Sequence, residues 1–275
     1  MSAQTATATS AASSLILLRE DRGGVAILTL NRPQARNSLS EALLEALGDA
    51  LSTIAHDRAV RVVVLAAHGA AFSAGHDLKE LNAHRSAEDR GRDYFKRIMS
   101  LCSRVTQQIV TLPQPVIAAV QATATAAGCQ LVASCDLAVA SQAAKFATPG
   151  VDIGLFCSTP MVALSRDVSR KHAMQMLLTG ELISADEAAR IGLINEVVPA
   201  GQERAAAIKL AEKIAAKSTL TVKIGKEAFY RQADMNLADA YRYAAEVMTE
   251  NMMARDAEEG IGAFIEKREP KWQDK

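Results

Sequence analysis

The sequence predicts an α/β protein made of repeated strand-turn-helix units, followed by a helical C-terminal region. Three observations carry that prediction. Apolar strand-like runs alternate with helix-periodic runs through the first two thirds of the chain. Two of those strands run through small residues directly into a helix, and from Ser184 onward the pattern is helical and charged. At 275 residues the chain is long enough to bury a substantial core. The reading divides it into a tail over 1–13, an α/β core over 14–200 and a helical region over 201–275.

Two strand-like runs open the core, "SLILLRE" from Ser14 and "GVAILTL" from Gly24, and the intervening "DRGG" suits a hairpin turn. A proline-containing loop, "NRPQARNS", follows. Ser40 then serves as N-cap of a helix whose Leu43, Leu44, Leu47 and Leu51 recur at helical spacing. "VRVVVLAAHG" is β-branched and ends at Gly69, as expected of a strand buried on both faces. The segment "FSAGHDLKEL" passes through Gly75 into a helix starting near Asp77, and a longer helix spans roughly Asp89 to Leu112, closed by Pro113 and Pro115. "PVIAAVQA" enters a second small-residue turn and the helix "GCQLVASCD". "LAVAS" and "KFATP" are short strands, and "PMVALSRDVS" and "KHAMQMLLTG" form a helical pair ending at Gly180. The C-terminal helices carry few large apolar residues, so they are expected to dock on the core or on a neighbouring subunit.

Charge excludes some partners. Lys plus Arg and Asp plus Glu number 31 each, so no net field attracts nucleic acid. No apolar run reaches the roughly 18 residues of a membrane-spanning helix. The Ser/Thr/Ala-rich start has no basic residue and no apolar stretch of signal-peptide length, which reads as a disordered tail and a cytoplasmic location. Cys102, Cys129, Cys135 and Cys157 lack metal-ligand spacing and read as buried, reduced thiols; no metal site is expected.

The two small-residue turns share a physical logic. A strand delivers the chain, small side chains admit a ligand, and a helix begins with unsatisfied N–H groups that attract negative charge. Aimed at one point, they make an oxyanion hole; the alternative is that Ala126, Ala127 and Gly128 simply permit tight helix–sheet packing.

"NRPQARNSLS", "FSAGHDLKEL", "PVIAAVQATATAAGCQLVASCDLAVAS", "FATPGVDIGL", "LLTGELISADEAARIGLINEVVP" and "GIGAFIEKREP" resemble, in order and spacing, the crotonase family of enoyl-CoA hydratases and isomerases. The resemblance implies a spiral of βαβ units with a C-terminal helical trimerisation region, a homotrimer or a hexamer as dimer of trimers, and an acyl-CoA thioester as substrate. CoA would enter as part of that substrate, with no separate cofactor. It further implies that the amides of His76 and Ala127 are the oxyanion donors. Arg36, Asp77, Leu78 and Lys79, with Lys267 or Arg268 of a neighbouring subunit, would hold the CoA portion.

The family's acid/base positions are unusual here. Where hydratases of this kind carry glutamates, this chain has Gln130 and Gly150, and the aspartate used by some isomerases and a dehalogenase falls at Ser158. A positioned general acid or base contributes roughly 10²- to 10⁴-fold, so ordinary hydration is expected to be weak. Gln130 can donate and accept hydrogen bonds but cannot take up a proton. Candidates for replacement proton chemistry are His76, which titrates near neutrality when unperturbed, and Asp152, if a strand continues to that point. Glu80, His84, Asp89, Asp93 and Tyr94 lie on a segment that the resemblance places near the acyl pocket, and Cys157 and Ser158 could add polarity there.

Overall fold

The computed structural model describes residues 15–275; the expected tail over 1–13 lies outside them. The hairpin forms as read, with β1 (Leu17–Arg22) antiparallel to β2 (Val25–Leu30). From β2 the sheet grows in parallel through β3 (Val62–Ala67), β5 (Val116–Val120), β7 (Leu137–Ser141) and β10 (Glu196–Val198).

The all-apolar strands are explained by the two layers that cover this sheet. Alternate residues of β3 face opposite ways. Val63 and Leu65 join the side packed by α1 (Glu41–His56) and α3 (Arg92–Thr111), through Leu44, Leu47, Leu51, Ile98, Cys102 and Val105. Val62, Val64 and Ala66 meet α8 (Glu203–Ala215), whose Ala207, Ala211 and Ala215 recur every fourth residue and allow close approach. Each large side chain buried in these layers contributes about 1.5–3 kcal/mol.

A second sheet, not evident in the sequence pattern, stands beside the first. Its strands are β4 (Ala71–Ser73), β6 (Thr123–Thr125), β8 (Lys145–Ala147) and β9 (Ile183–Ser184), in that order. The first three are parallel, with Ser73 opposite Ala124 and Thr125 opposite Ala147. Of its strands only β8, in "KFATP", was read from the sequence; the three residues of β4 or β6 are too few to show period-2 patterning. β10 likewise interrupts the stretch read as helical from Ser184 onward, and β9 ends where that stretch begins.

Helix α2 (Leu78–Ala83) begins after Asp77, as read. Helix α3 starts at Arg92, later than the expected Asp89, because Arg90 and Gly91 stand at φ 57° and 88° and cannot join a right-handed helix. The Asp89 carboxylate instead accepts from the amides of Gly91 and Asp93. Helices α4 (Ala127–Ser134), α5 (Pro160–Asp167), α6 (Arg170–Thr179) and α7 (Ala185–Arg190) complete the core. The chain ends in α9 (Thr219–Ala233), α10 (Leu237–Met252) and α11 (Arg255–Glu266). No helix among the described residues is long and apolar enough to cross a membrane.

Candidate active site

Parallel strands β4, β6 and β8 end side by side, and the residues just past them build the site. The turn after β4 carries Gly75 and His76; the turn after β6 carries Ala126 and Ala127. Gly75, at φ +88°, lies so close that a Cβ added to it would sit 2.8 Å from the Ala126 Cβ and 3.2 Å from the Ala127 nitrogen. A Cβ on Gly128 would overlap the Ser73 carbonyl. The small residues pack α4 onto β4 and bring the two amide-bearing turns together.

Among the described residues, neither the His76 nor the Ala127 amide donates a hydrogen bond within the chain, while several amides around them are paired. Leu39 N donates to Gly75 O at 2.8 Å, Asp77 N to Leu39 O at 3.3 Å, Ala126 N to Ala147 O at 2.9 Å and Gln130 N to Ala126 O at 3.0 Å. Ala126 is held at φ 51° and ψ −121°, a conformation that disfavours any Cβ-bearing residue. Ala127 is the first residue of α4, so its N–H has no acceptor within the helix. Two unpaired amides at abutting turns can stabilise an anionic oxygen.

The side chains around them are neutral. Gln130 is buried on α4; its Nε2 donates to Thr106 Oγ1 at 3.3 Å, and its Oε1 has no partner among the described residues. Both ring nitrogens of His76 are buried and unpartnered, and burial pushes its pKa below 6.5. Gly150 is also buried, in a 3-10 turn spanning Pro149–Ile153. A Cβ there would meet Leu155 O at 2.8 Å and Cys157 Sγ at 2.9 Å. The space a glutamate would need is filled by the 155–157 segment.

The 3-10 turn settles the condition placed on Asp152: no strand continues to it, and the exposed carboxylate borders the loop at Gly180. Ser158 is exposed and donates to Phe156 O at 3.3 Å. Tyr94 stacks on His84 with ring centroids 3.4 Å apart, and burial beside Glu80 and Glu41 pushes its hydroxyl up to about 12. All four cysteines are buried and free, with burial raising Cys102 and Cys129 to about 12.

A cleft of about 580 Å³ runs along one face of β4, β6 and β8, lined by Arg36, Ala74, Thr125, Ala147, Asp152 and Leu182 among others. Ala74 and Thr125 each precede an amide donor by two residues, so the cleft leads to the paired turns. Arg36 is exposed at its edge; Leu78 and Lys79 are exposed at the start of α2. The Asp77 carboxylate is engaged internally. It caps α2 through the amides of Lys79 and Glu80, pairs with Arg32 at 3.1 Å and accepts from Ser38 Oγ at 3.1 Å. Lys267 ends α11 in the left-handed conformation at φ 57°, and Arg268 is held by Glu259 and Glu266, its hydrogen bonds to Glu259, with the Lys271 amide, lowering that carboxyl to about 2. Those two residues stand just past the end of α11 and do not line the cleft. Sequence reasoning missed Thr148, fully buried with its hydroxyl unpartnered, and the strain at Ala126. Each residue lies in one of the quoted motifs, but no spacing signals either property.

The geometry agrees with comparisons to known proteins. The profile of the enoyl-CoA hydratase/isomerase family matches residues 20–275. The rat protein named enoyl-CoA hydratase domain-containing protein 3, mitochondrial, is 48% identical over 249 residues, covering 90% of this chain and 81% of that one. The crystal structure of its human namesake superposes with TM-score 0.89 at 46% identity, covering 94% of this chain and 100% of that one. An enoyl-CoA hydratase structure from Mycobacterium smegmatis gives TM-score 0.90 at 52% identity, covering 94% and 99%. The cytoplasmic expectation is overturned by these names: relatives from rat, mouse, frog, human and zebrafish, at 46% to 48% identity, are all named mitochondrial. Fold, turns and profile agree: this chain belongs to the enoyl-CoA hydratase/isomerase family and resembles its domain-containing protein 3 subgroup.

Proposed function

We propose that the protein binds an acyl-CoA thioester with its carbonyl oxygen between the His76 and Ala127 amides, stabilising an enolate-like anion, and that ordinary hydration of 2-enoyl-CoA is weak or absent. The observation that carries this reading is the meeting of two turns whose amides have no acceptor within the described chain. Each such donor is worth roughly 3–4 kcal/mol to a developing oxyanion. No carboxylate stands at 130 or 150 to activate water, and position 150 has no room for one. Arg36, Leu78 and Lys79 supply the exposed surface along which the CoA portion runs, with the backbone beside Asp77.

Assembly completes the site in this reading. Phe264 and Ile265 are 84% and 72% exposed, immediately before Lys267 and Arg268. A homotrimer or a hexamer built of two trimers covers these apolar side chains and brings that end of α11 to a neighbour's CoA. A second reading, a non-catalytic acyl-CoA-binding or assembly protein, draws on the filled space at Gly150. Screening purified protein against a panel of acyl-CoAs separates the two. Turnover of any ester that is lost in Gln130→Ala supports an enzyme; binding without turnover of any ester supports the passive reading.

A further inference from the structure

Helix α11 has little apolar burial to hold it. Of its residues only Asp256 and Ala263 are buried, and α10, which leads into it, buries none among the described residues. A helix so thinly packed needs another attachment. The chain supplies one just past the helix end. Lys267, in the left-handed conformation, reverses the direction, Arg268 N donates to Ala263 O at 3.0 Å, and the residues that follow run back along α11. Glu259 accepts from Arg268 Nη1 and from the Lys271 amide, both at 2.7 Å. Trp272 lies on Gly260, where an added Cβ would sit 3.1 Å from the indole. Asp256, at 2% exposure, accepts from the Gln273 and Asp274 amides at 2.7 and 3.0 Å.

The same segment grips the rest of the fold. Trp272 Nε1 donates to Ala216 O at 3.0 Å, and Asp274 pairs with Arg61 at 2.8 Å and accepts from the Thr219 amide at 2.7 Å. Arg61 stands just before β3 and also donates to Ala215 O at 2.8 Å. These contacts join α11 to the junction of α8 and α9 and to the start of β3. We propose that residues 271–274 are a strap that latches α11 to that junction, with Trp272 and Asp274 as its positioning residues, and that the latch sets where Phe264, Ile265, Lys267 and Arg268 point. Its consequence for assembly rests on the reading above in which those side chains meet a neighbouring subunit.

The test is hydrogen exchange and light scattering on the full chain as wild type, as Trp272→Ala/Asp274→Ala and as the control Gln273→Ala, an exposed side chain between them. The double variant removes three hydrogen-bonded contacts outside the core, so the core folds without them. The expected result is exchange about tenfold faster across α11, with α8 and β3 protected as in wild type and a smaller scattering mass. Gln273→Ala matches wild type. The faster exchange persists in the Phe264→Asp/Ile265→Asp background, which separates the latch from subunit contact. Unchanged exchange in α11 overturns the strap, and so does equal acceleration in β3, because the segment is then part of the general fold. Faster exchange in α11 at an unchanged mass overturns its part in assembly. A wild type that scatters as a monomer sinks the assembly reading alone, and the exchange result then decides the strap by itself.

Discussion

Ala126 concentrates the strain of the site in one residue. Its φ of 51° with ψ of −121° is held by its amide on Ala147, its carbonyl on Gln130 N and its Cβ against Gly75. Conformations of this kind disfavour an L-residue by about 1–3 kcal/mol, partly offset by the extra unfolded-state freedom glycine brings. Ala126→Gly is therefore expected to stabilise the protein by about 1 kcal/mol in urea unfolding. At Gly150 the expectation is opposite. A side chain there collides with Leu155 O and Cys157 Sγ, so Gln130→Glu/Gly150→Glu should hydrate crotonyl-CoA no faster than Gln130→Glu alone, and melt lower. His76 supplies a pH signature. Burial lowers its pKa below 6.5, so the unfolded chain takes up the proton first as pH falls. The term is absent above 6.5 and removes stability as pH drops through 6.5 toward the folded value. Wild type should lose more stability than His76→Gln on that descent, measured by urea unfolding across the range. The amides at 76 and 127 were singled out as positions through the family resemblance. Their freedom from internal hydrogen bonds, the strain at Ala126 and the filled space at 150 depend on contacts between segments far apart in the chain.

Among the elements, the second sheet explains both the success and the gap of sequence reading. Long periodic elements such as α1, α3 and β3 declare themselves, because a repeated apolar spacing survives errors of a residue at either end. β4 and β6 have three residues each, yet they aim the two amide-bearing turns. Behind α4, Asp136 ties the C-terminal helices to the core. It pairs with Lys226 at 2.7 Å, accepts from Tyr230 at 2.9 Å and accepts from the Val116 amide at 2.6 Å, while Lys226 also donates to Ile109 O and Gln114 O. The Lys226 and Asp136 side chains are 7% and 15% exposed, so removing one partner strands a buried charge. Lys226→Met should lower stability by about 3–5 kcal/mol in chemical denaturation and loosen α9 in hydrogen exchange.

Viewed whole, the chain leaves several large apolar side chains exposed on its last helices. Phe229, Leu237, Met253, Phe264 and Ile265 are each more than 60% exposed, an unusual concentration for a chain with balanced charge. The sequence showed these helices as short of large apolar residues for an independent core, and the structure shows why: most of those they have point outward. Light scattering should give a trimer or hexamer for wild type and smaller species for Phe264→Asp/Ile265→Asp. The central claim is a hole that polarises a thioester in a site without water-activating carboxylates. Its most direct test is the absorbance spectrum of an α,β-unsaturated acyl-CoA mixed with excess protein. A red-shifted enoyl band that persists is the predicted result. A band that stays unshifted at saturating protein contradicts the hole, and a band that disappears at ordinary hydratase rates contradicts the loss of hydration.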